Sequence, residues 1–182
     1  QILVTATGTV NAVKTVLVGT QVSGVISKIF VDFNDIVKAG QVIAILDTRS
    51  LQVSLDEANA NLSKAETQLQ QLKAEYERNE ILFEKRLITD SDFDIQSANY
   101  DIAQNTLQTA NGELSKARIN LNLATIVAPI SGVIISRNVD VGQTVAASFT
   151  TPTLFTIAND LKKMQLQANV DEADIGQVQM GQ

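Results

Sequence analysis

Carboxylates and lysines are the residues of this chain that could do chemistry. Asp56, Glu57, Glu66, Glu75, Glu77, Glu80, Glu84, Asp90, Asp92 and Asp94 crowd its middle third. Close pairs of such groups can act as general acid and base or hold a cation. Here they lie off the apolar positions of a helical pattern. They are spaced to meet Lys64, Lys73, Arg78 or Lys116 on solvated faces. Asp171, Glu172 and Asp174 could attract a cation, but they fit better as the start of a short helix, where acids suit the N-terminal dipole. The chain has no Cys and no His. That excludes disulfides, the common zinc sites, Cys–His nucleophiles and imidazole bases. No nucleophile–base arrangement and no phosphate-cradling glycine loop occurs. The expectation is a non-enzyme with no catalytic residues, no metal and no cofactor.

The element that positions these charges runs from Thr48 to Leu123. Leu51, Leu55, Ala58, Leu62, Ala65, Leu69, Leu72, Tyr76, Asn79 and Phe83 recur at alternating steps of four and three. So do Phe93, Gln96, Tyr100, Ala103, Leu107, Ala110, Leu114, Ala117, Leu121 and Ala124. This is the coiled-coil period. Folded back antiparallel, the seams match. Phe83 faces Phe93, Tyr76 faces Tyr100, Leu69 faces Leu107, Leu62 faces Leu114 and Leu55 faces Leu121. Ala65 meets Ala110 and Ala58 meets Ala117, so the helices can approach closely. The two polar seam residues, Asn79 and Gln96, fall in one layer. An amide pair there predicts a register lock. The hairpin should project roughly 50 Å.

Composition bounds the rest. In 182 residues aromatics are only 4% and net charge is −6. Scarce aromatics suit an Ala/Leu coiled coil with Val/Ile strands. No basic patch points to nucleic acid. No apolar run reaches the length of about 18 that a membrane span requires, and no signal peptide is visible. The chain begins mid-strand and reads as a fragment.

Ile2 to Val10 and Lys14 to Val22 read as strands. The stretch Val22 to Val31 leads to a turn at Asn34-Asp35, then to Ile36 through Asp47. Short strands with Gly and Asn/Asp punctuation imply a small antiparallel sandwich or barrel. After the hairpin the pattern returns. Pro129-Ile130-Ser131-Gly132-Val133-Ile134 echoes Val22-Ser23-Gly24-Val25-Ile26. Val141-Gly142-Gln143-Thr144-Val145 echoes Ala39-Gly40-Gln41-Val42-Ile43. Such a repeat predicts two half-motifs forming one pseudo-symmetric sandwich. Its glycines should serve turns with positive φ or close backbone approach. Thr151-Pro152-Thr153 breaks the chain; Leu154 to Ala158 and Met164 to Val170 read as further strands.

In this order the motifs resemble the periplasmic adaptor, or membrane fusion protein (HlyD-like), family of tripartite pumps. Val22-Ser23-Gly24, Val37-Lys38-Ala39-Gly40-Gln41, Ile126-Val127-Ala128-Pro129-Ile130-Ser131-Gly132 and Val170-Asp171-Glu172-Ala173-Asp174-Ile175 carry the resemblance. The openings Ala6-Thr7-Gly8-Thr9-Val10 and Val18-Gly19-Thr20-Gln21 look closest to the MacA-type branch. The resemblance implies an α+β fold: a long antiparallel α-helical coiled-coil hairpin inserted in a split lipoyl-like β-sandwich, with part of an adjoining β-barrel. Its domains would be residues 14–47 with 124–158 (sandwich), 48–123 (hairpin), and 1–13 with 159–182 (partial barrel).

The family's tip motif is Arg, Leu four residues on, then Ser seven further. Here it reads Arg78, Leu82, Thr89, with a hydroxyl retained at the last position. The resemblance implies that these residues dock a TolC-type outer-membrane channel. Thr89 fits equally as a helix N-cap, with Asp92 three residues on. In the MacA-type branch a loop Gln rings the pore as a valve; the matching residue is Phe149, which implies a hydrophobic constriction, or else a residue folded onto the sandwich or packed on a neighbouring subunit. The implied protein is periplasmic, held to the inner membrane by an anchor outside this chain. It would form a hexameric ring on a MacB-type ABC transporter permease. Alternatives are an adaptor of a resistance-nodulation-division (RND) pump or a type I secretion system. A biotin/lipoyl carrier fragment is the rival from another class. It fits less well, because the helical arms occupy the junction where the modified Lys should stand, and Lys38 and Lys64 lie elsewhere. The polar outer faces of the hairpin predict a wet lateral interface and a monomer in dilute solution.

Overall fold

The computed structural model describes residues 7–12, 15–147, 152–159 and 164–169, with backbone alone for 7–12 and 164–169. The chain divides into two compact units, one built from residues before 47 and after 125, the other from the segment between.

The second unit is the hairpin. Helix α1 spans Arg49–Glu84 and α2 spans Asp90–Leu123. No Pro interrupts either helix, and the single Gly112 sits in α2 with no crowding neighbour. Every seam residue from Leu51 to Phe83 and from Phe93 to Leu121 is buried or half-buried. The Ala layers are the most buried part: Ala58, Ala65, Ala103 and Ala110 are the buried residues of the two helices. The matched seams hold at the aromatic end. Phe83 stacks on Phe93 with centroids 4.6 Å apart, and Tyr76 stacks on Tyr100 at 5.2 Å. Tyr76 also touches Phe93 at 5.5 Å, which joins the two pairs into one ladder. Off the seam, Val53, Ile95, Ile102 and Ile119 are exposed, so the outer faces are less uniformly polar than the sequence reading implied.

In the first unit, β1 (Thr7–Ala12) pairs antiparallel with the chain's last described strand, β10 (Met164–Asn169). The other strands are β2 (Thr15–Val18), β3 (Gly24–Ile29), β4 (Ile36–Val37), β5 (Val42–Leu46), β6 (Thr125–Val127), β7 (Gly132–Arg137), β8 (Thr144–Val145) and β9 (Phe155–Ala158). They form two four-stranded sheets, ordered β2-β9-β7-β4 and β6-β5-β3-β8. Each sheet takes two strands from the sequence before the hairpin and two from the sequence after it. Ile26, Val37, Ile43 and Leu46 from the first half and Ile134, Leu154, Phe155 and Ile157 from the second are essentially solvent-free. Burying such side chains stabilises by roughly 1.5–3 kcal/mol each.

The two sheets share one strand order: β2 answers to β6, β9 to β5, β7 to β3 and β4 to β8. Hydrogen bonds repeat with them. Ala39 N donates to Ser131 Oγ at 2.9 Å, and Ala147 N to Ser23 Oγ at 2.9 Å. Asn34 N donates to Ile134 O and Gly142 N to Ile26 O, both at 2.8 Å. The Ser-Gly-Val-Ile echo is therefore structural, with Gly24 answering to Gly132. The Gly-Gln echo is not. Gly142-Gln143 stands where Asn34-Asp35 stands, not where Gly40-Gln41 does. The two Gly-Gln turns look alike because both use one local device. Gln41 Oε1 accepts from Lys38 N and Gln143 Oε1 from Asp140 N, each at 3.0 Å. Asp35 Oδ2 does the same for Asp32 N at 2.7 Å.

Positive φ is used at Gly40 (81°), Gly142 (87°) and Asn34 (69°). Gly132 serves close approach instead: a Cβ there would fall 2.1 Å from the Ala158 carbonyl oxygen on β9.

Candidate functional site: the hairpin tip

The tip is made by the end of α1, five connecting residues and the start of α2. Helix α1 closes with a Schellman motif. Arg86 N donates to Phe83 O at 2.8 Å, and Leu87 N to Leu82 O at 2.9 Å. The motif needs a left-handed residue, and Arg86 supplies it at φ 59° without being Gly. Helix α2 opens on Thr89. Its hydroxyl accepts from Asp92 N at 3.2 Å and donates to Asp92 Oδ2 at 2.7 Å. Asp90 and Asp92 place negative charge in the first turn, which the helix dipole favours.

These parts place the three motif residues as follows. Arg78 and Leu82, one turn apart, are both exposed. Thr89 is exposed yet engaged as the N-cap, so its hydroxyl already has local partners. Behind them the Phe83–Phe93 stack closes the hairpin. Asn79 and Gln96 are both half-buried on the seam. The expected amide pair is not formed. The Asn79 amide donates to Glu75 O of its own helix at 2.9 Å, and among the described residues no hydrogen bond joins it to Gln96. A seam amide can satisfy itself on the carbonyl one turn back, and that local bond removes the need for a partner across the interface.

The tip also presents residues that the motif does not name. Leu87 is 67% exposed, against 37% for Leu82. Among the described residues Arg78, Lys85 and Arg86 form no salt bridge; the ion pairs are Arg49–Asp47, Lys73–Glu77 and Arg137 with Asp32 and Asp140. The signal for the turn was present in sequence as Lys85-Arg86-Leu87 between the last seam position of one helix and the cap of the next. It was hidden because helix-ending left-handed turns are ordinarily read from Gly or Asn.

A second charged cluster lies in the sandwich. Arg137 Nε donates to Asp32 Oδ1 at 3.0 Å, and its NH1 nitrogen donates to Asp140 Oδ1 and to Val139 O, both at 2.6 Å. Asp32 and Asp140 are equivalent residues of the two half-motifs, so one guanidinium clasps both turns. Hydrogen bonds from Phe33 N and from Arg137 hold the Asp32 carboxyl below the usual carboxylate range. The hydrogen bonds that Arg137 donates to Asp140 and Asp32 raise its own pKa above the usual guanidinium value. This clasp is a structural brace. Among the described residues no group of three or more Asp or Glu could hold a metal ion. Phe149 and the Asp171-Glu172-Asp174 cluster lie outside the described residues. Lys38 is exposed beside the Gly40 turn and Lys64 on the surface of α1.

Residues 14–158 match the model of the RND MFP, barrel-sandwich hybrid domain. The chain is 33% identical over 186 residues to the macrolide export protein MacA of Yersinia pestis, covering 94% of this chain and 50% of that protein. It is 29% identical over 178 residues to the multidrug resistance protein MdtA of Yersinia enterocolitica, covering 98% of this chain and 40% of that protein. The crystal structure of MacA from Actinobacillus actinomycetemcomitans matches with a TM-score of 0.65 and 31% identity, over 97% of this chain and 59% of that one. The chain thus spans about half the length of the curated relatives it matches. The matched domain covers both half-motifs and the whole hairpin between them, and the chain belongs to the membrane fusion protein family of pump adaptors.

Proposed function

We propose that this chain is the hairpin-bearing part of a periplasmic adaptor in a tripartite efflux or secretion pump. It links an inner-membrane ABC transporter of the MacB type to a TolC-type outer-membrane channel. Docking is by Arg78, Leu82 and Thr89. The observation that carries this reading is the tip: an arginine and a leucine held exposed at the apex of a rod roughly 50 Å long. The aromatic ladder directly behind the tip resists splaying, as docking requires. The adaptor assembles as a hexameric ring and performs no catalysis of its own; transport energy comes from the partner's ATP hydrolysis. Residues 1–13 and 159–182 contribute to an adjoining β-barrel, for which the β1–β10 pair is the support. The membrane anchor lies in a segment outside this chain.

Likeness to MacA favours the ABC partner and macrolide-type cargo. The RND-type family model and the likeness to MdtA favour an RND pump as second reading. Co-purification separates the two: the chain within its full-length adaptor should retain an ABC permease, and capture of an RND pump would reverse the assignment. Docking has its own test. Arg78→Asp should abolish efflux while helicity by circular dichroism stays at the wild-type level. Efflux retained by this variant would sink the docking role of Arg78.

A further inference from the structure

The geometry points to Leu87 as a docking residue in its own right, paired with Leu82. Together they form one apolar knob that seats in a groove edged by carboxylates on the outer-membrane channel. This rests on the docking reading above and extends it to a residue outside the Arg-Leu-Ser pattern.

The link is the Schellman motif. In that motif the third residue before the cap and the second after it are brought together, and they commonly share an apolar contact. Here those two positions are Leu82 and Leu87, and a 2.9 Å hydrogen bond from Leu87 N to Leu82 O ties their backbones together. Leu82 is therefore not presented alone. Of the two, Leu87 exposes the larger fraction of its surface, 67%. A leucine held in a hydrogen-bonded turn with two thirds of its surface in water has most of its apolar area still to bury. Its burial against a partner would be favourable. Exposed apolar side chains held rigidly at one end of a rod mark a contact site more strongly than scattered ones do.

Charge defines the partner's chemistry. Lys85 and Arg86 directly precede Leu87, and Arg78 precedes Leu82 by one turn. None of the three forms an ion pair among the described residues. The acids nearest in sequence on α2, Asp90 and Asp92, lie in its first turn, and Asp92 is engaged with Thr89. An apolar pair flanked by free cations is complementary to an apolar groove with carboxylate edges.

The test uses the full-length adaptor and a purified TolC-type channel in nanodiscs. Leu87→Ala should weaken binding about tenfold or more, the loss of one buried leucine. Leu87→Met should retain it, and both should keep wild-type helicity and melting temperature. Arg86→Glu should weaken binding at low salt, and its deficit should shrink as salt rises. A photo-crosslinking residue at position 87 should yield an adaptor–channel adduct. If Leu87→Ala binds like wild type while Arg78→Asp does not, the Leu87 assignment falls and the docking reading stands. The same holds if binding is intact but position 87 gives no adduct. If the wild-type protein fails to bind the channel, both readings fall.

Discussion

Asn34 and Gly142 occupy the same place in the two halves of the sandwich. Each donates its backbone N–H at 2.8 Å to the isoleucine carbonyl of the opposite half-motif, Asn34 to Ile134 and Gly142 to Ile26. Both backbones are left-handed, at 69° and 87°. The position therefore requires positive φ, and each half meets that requirement with a different residue.

This equivalence predicts how the two positions tolerate exchange. Gly142→Asn should be accepted with little loss, since Asn adopts the left-handed region more readily than other side chains. Gly142→Val should cost about 1–2 kcal/mol, the penalty for a side chain at that φ. No atom crowds a Cβ at Gly142, so strain rather than collision sets the cost. Asn34→Gly should be neutral or slightly stabilising. Thermal melts of the three variants check this. Equal damage from Asn and Val at position 142 would contradict the assignment.

Much of this fold is legible in the sequence because long periodic patterns are over-determined. Twenty seam positions specify the hairpin, and the aromatic pairs Phe83–Phe93 and Tyr76–Tyr100 meet as the seam arithmetic requires. The sandwich was legible as a repeat but not in its register. Gly-Gln recurs at Gly40-Gln41 and Gly142-Gln143, yet the shared device is a glutamine side chain accepting a backbone N–H within a turn. A local device can recur at non-equivalent places, whereas pairing across the sheets cannot. Gly24 and Gly132 answer to each other because Val145 and Val37 pair with them in register. The tip turn was illegible for the opposite reason. Its left-handed residue is Arg86, and nothing in an arginine announces positive φ. The Arg137 clasp needed the fold, since Asp32 and Asp140 are far apart in sequence.

The seam amides give a second prediction. Asn79 donates to Glu75 O of its own helix rather than to Gln96. Register is then set by the aromatic ladder and the buried Ala layers, where a slip would bring larger seam side chains onto Ala. Asn79→Leu should leave the hairpin in register and raise its melting temperature, since a half-buried amide gives way to an apolar group on an apolar seam. Ala65→Leu should do the reverse. It inserts bulk at a buried position facing Ala110, at a cost of about 1–3 kcal/mol. Circular dichroism melts read both. Loss of a single cooperative transition in Asn79→Leu would return the register role to the amide layer.

The start of α1 gives a prediction in pH. Asp47 Oδ1 accepts from Arg49 N at 3.0 Å, and the Arg49 side chain grips both carboxylate oxygens at 2.6–3.0 Å. The Arg49 side-chain hydrogen bonds, with the backbone bond second, hold the Asp47 pKa down at about 2, against an ordinary 3.8. A carboxyl whose pKa is depressed by folding favours the folded state at every pH above its unfolded value. That contribution fades as pH falls from near 3.8 through about 2. The effect is small, because Arg49 is almost fully solvated and water screens the pair. Asp47→Asn keeps an oxygen that can accept from Arg49 N and removes only the charge. The wild type should therefore melt slightly above Asp47→Asn at neutral pH. The gap should narrow with salt, as exposed pairs do, and should close as pH falls through about 2. A gap that persists unchanged under strong acid would mean that the charge on Asp47 does not stabilise the helix start.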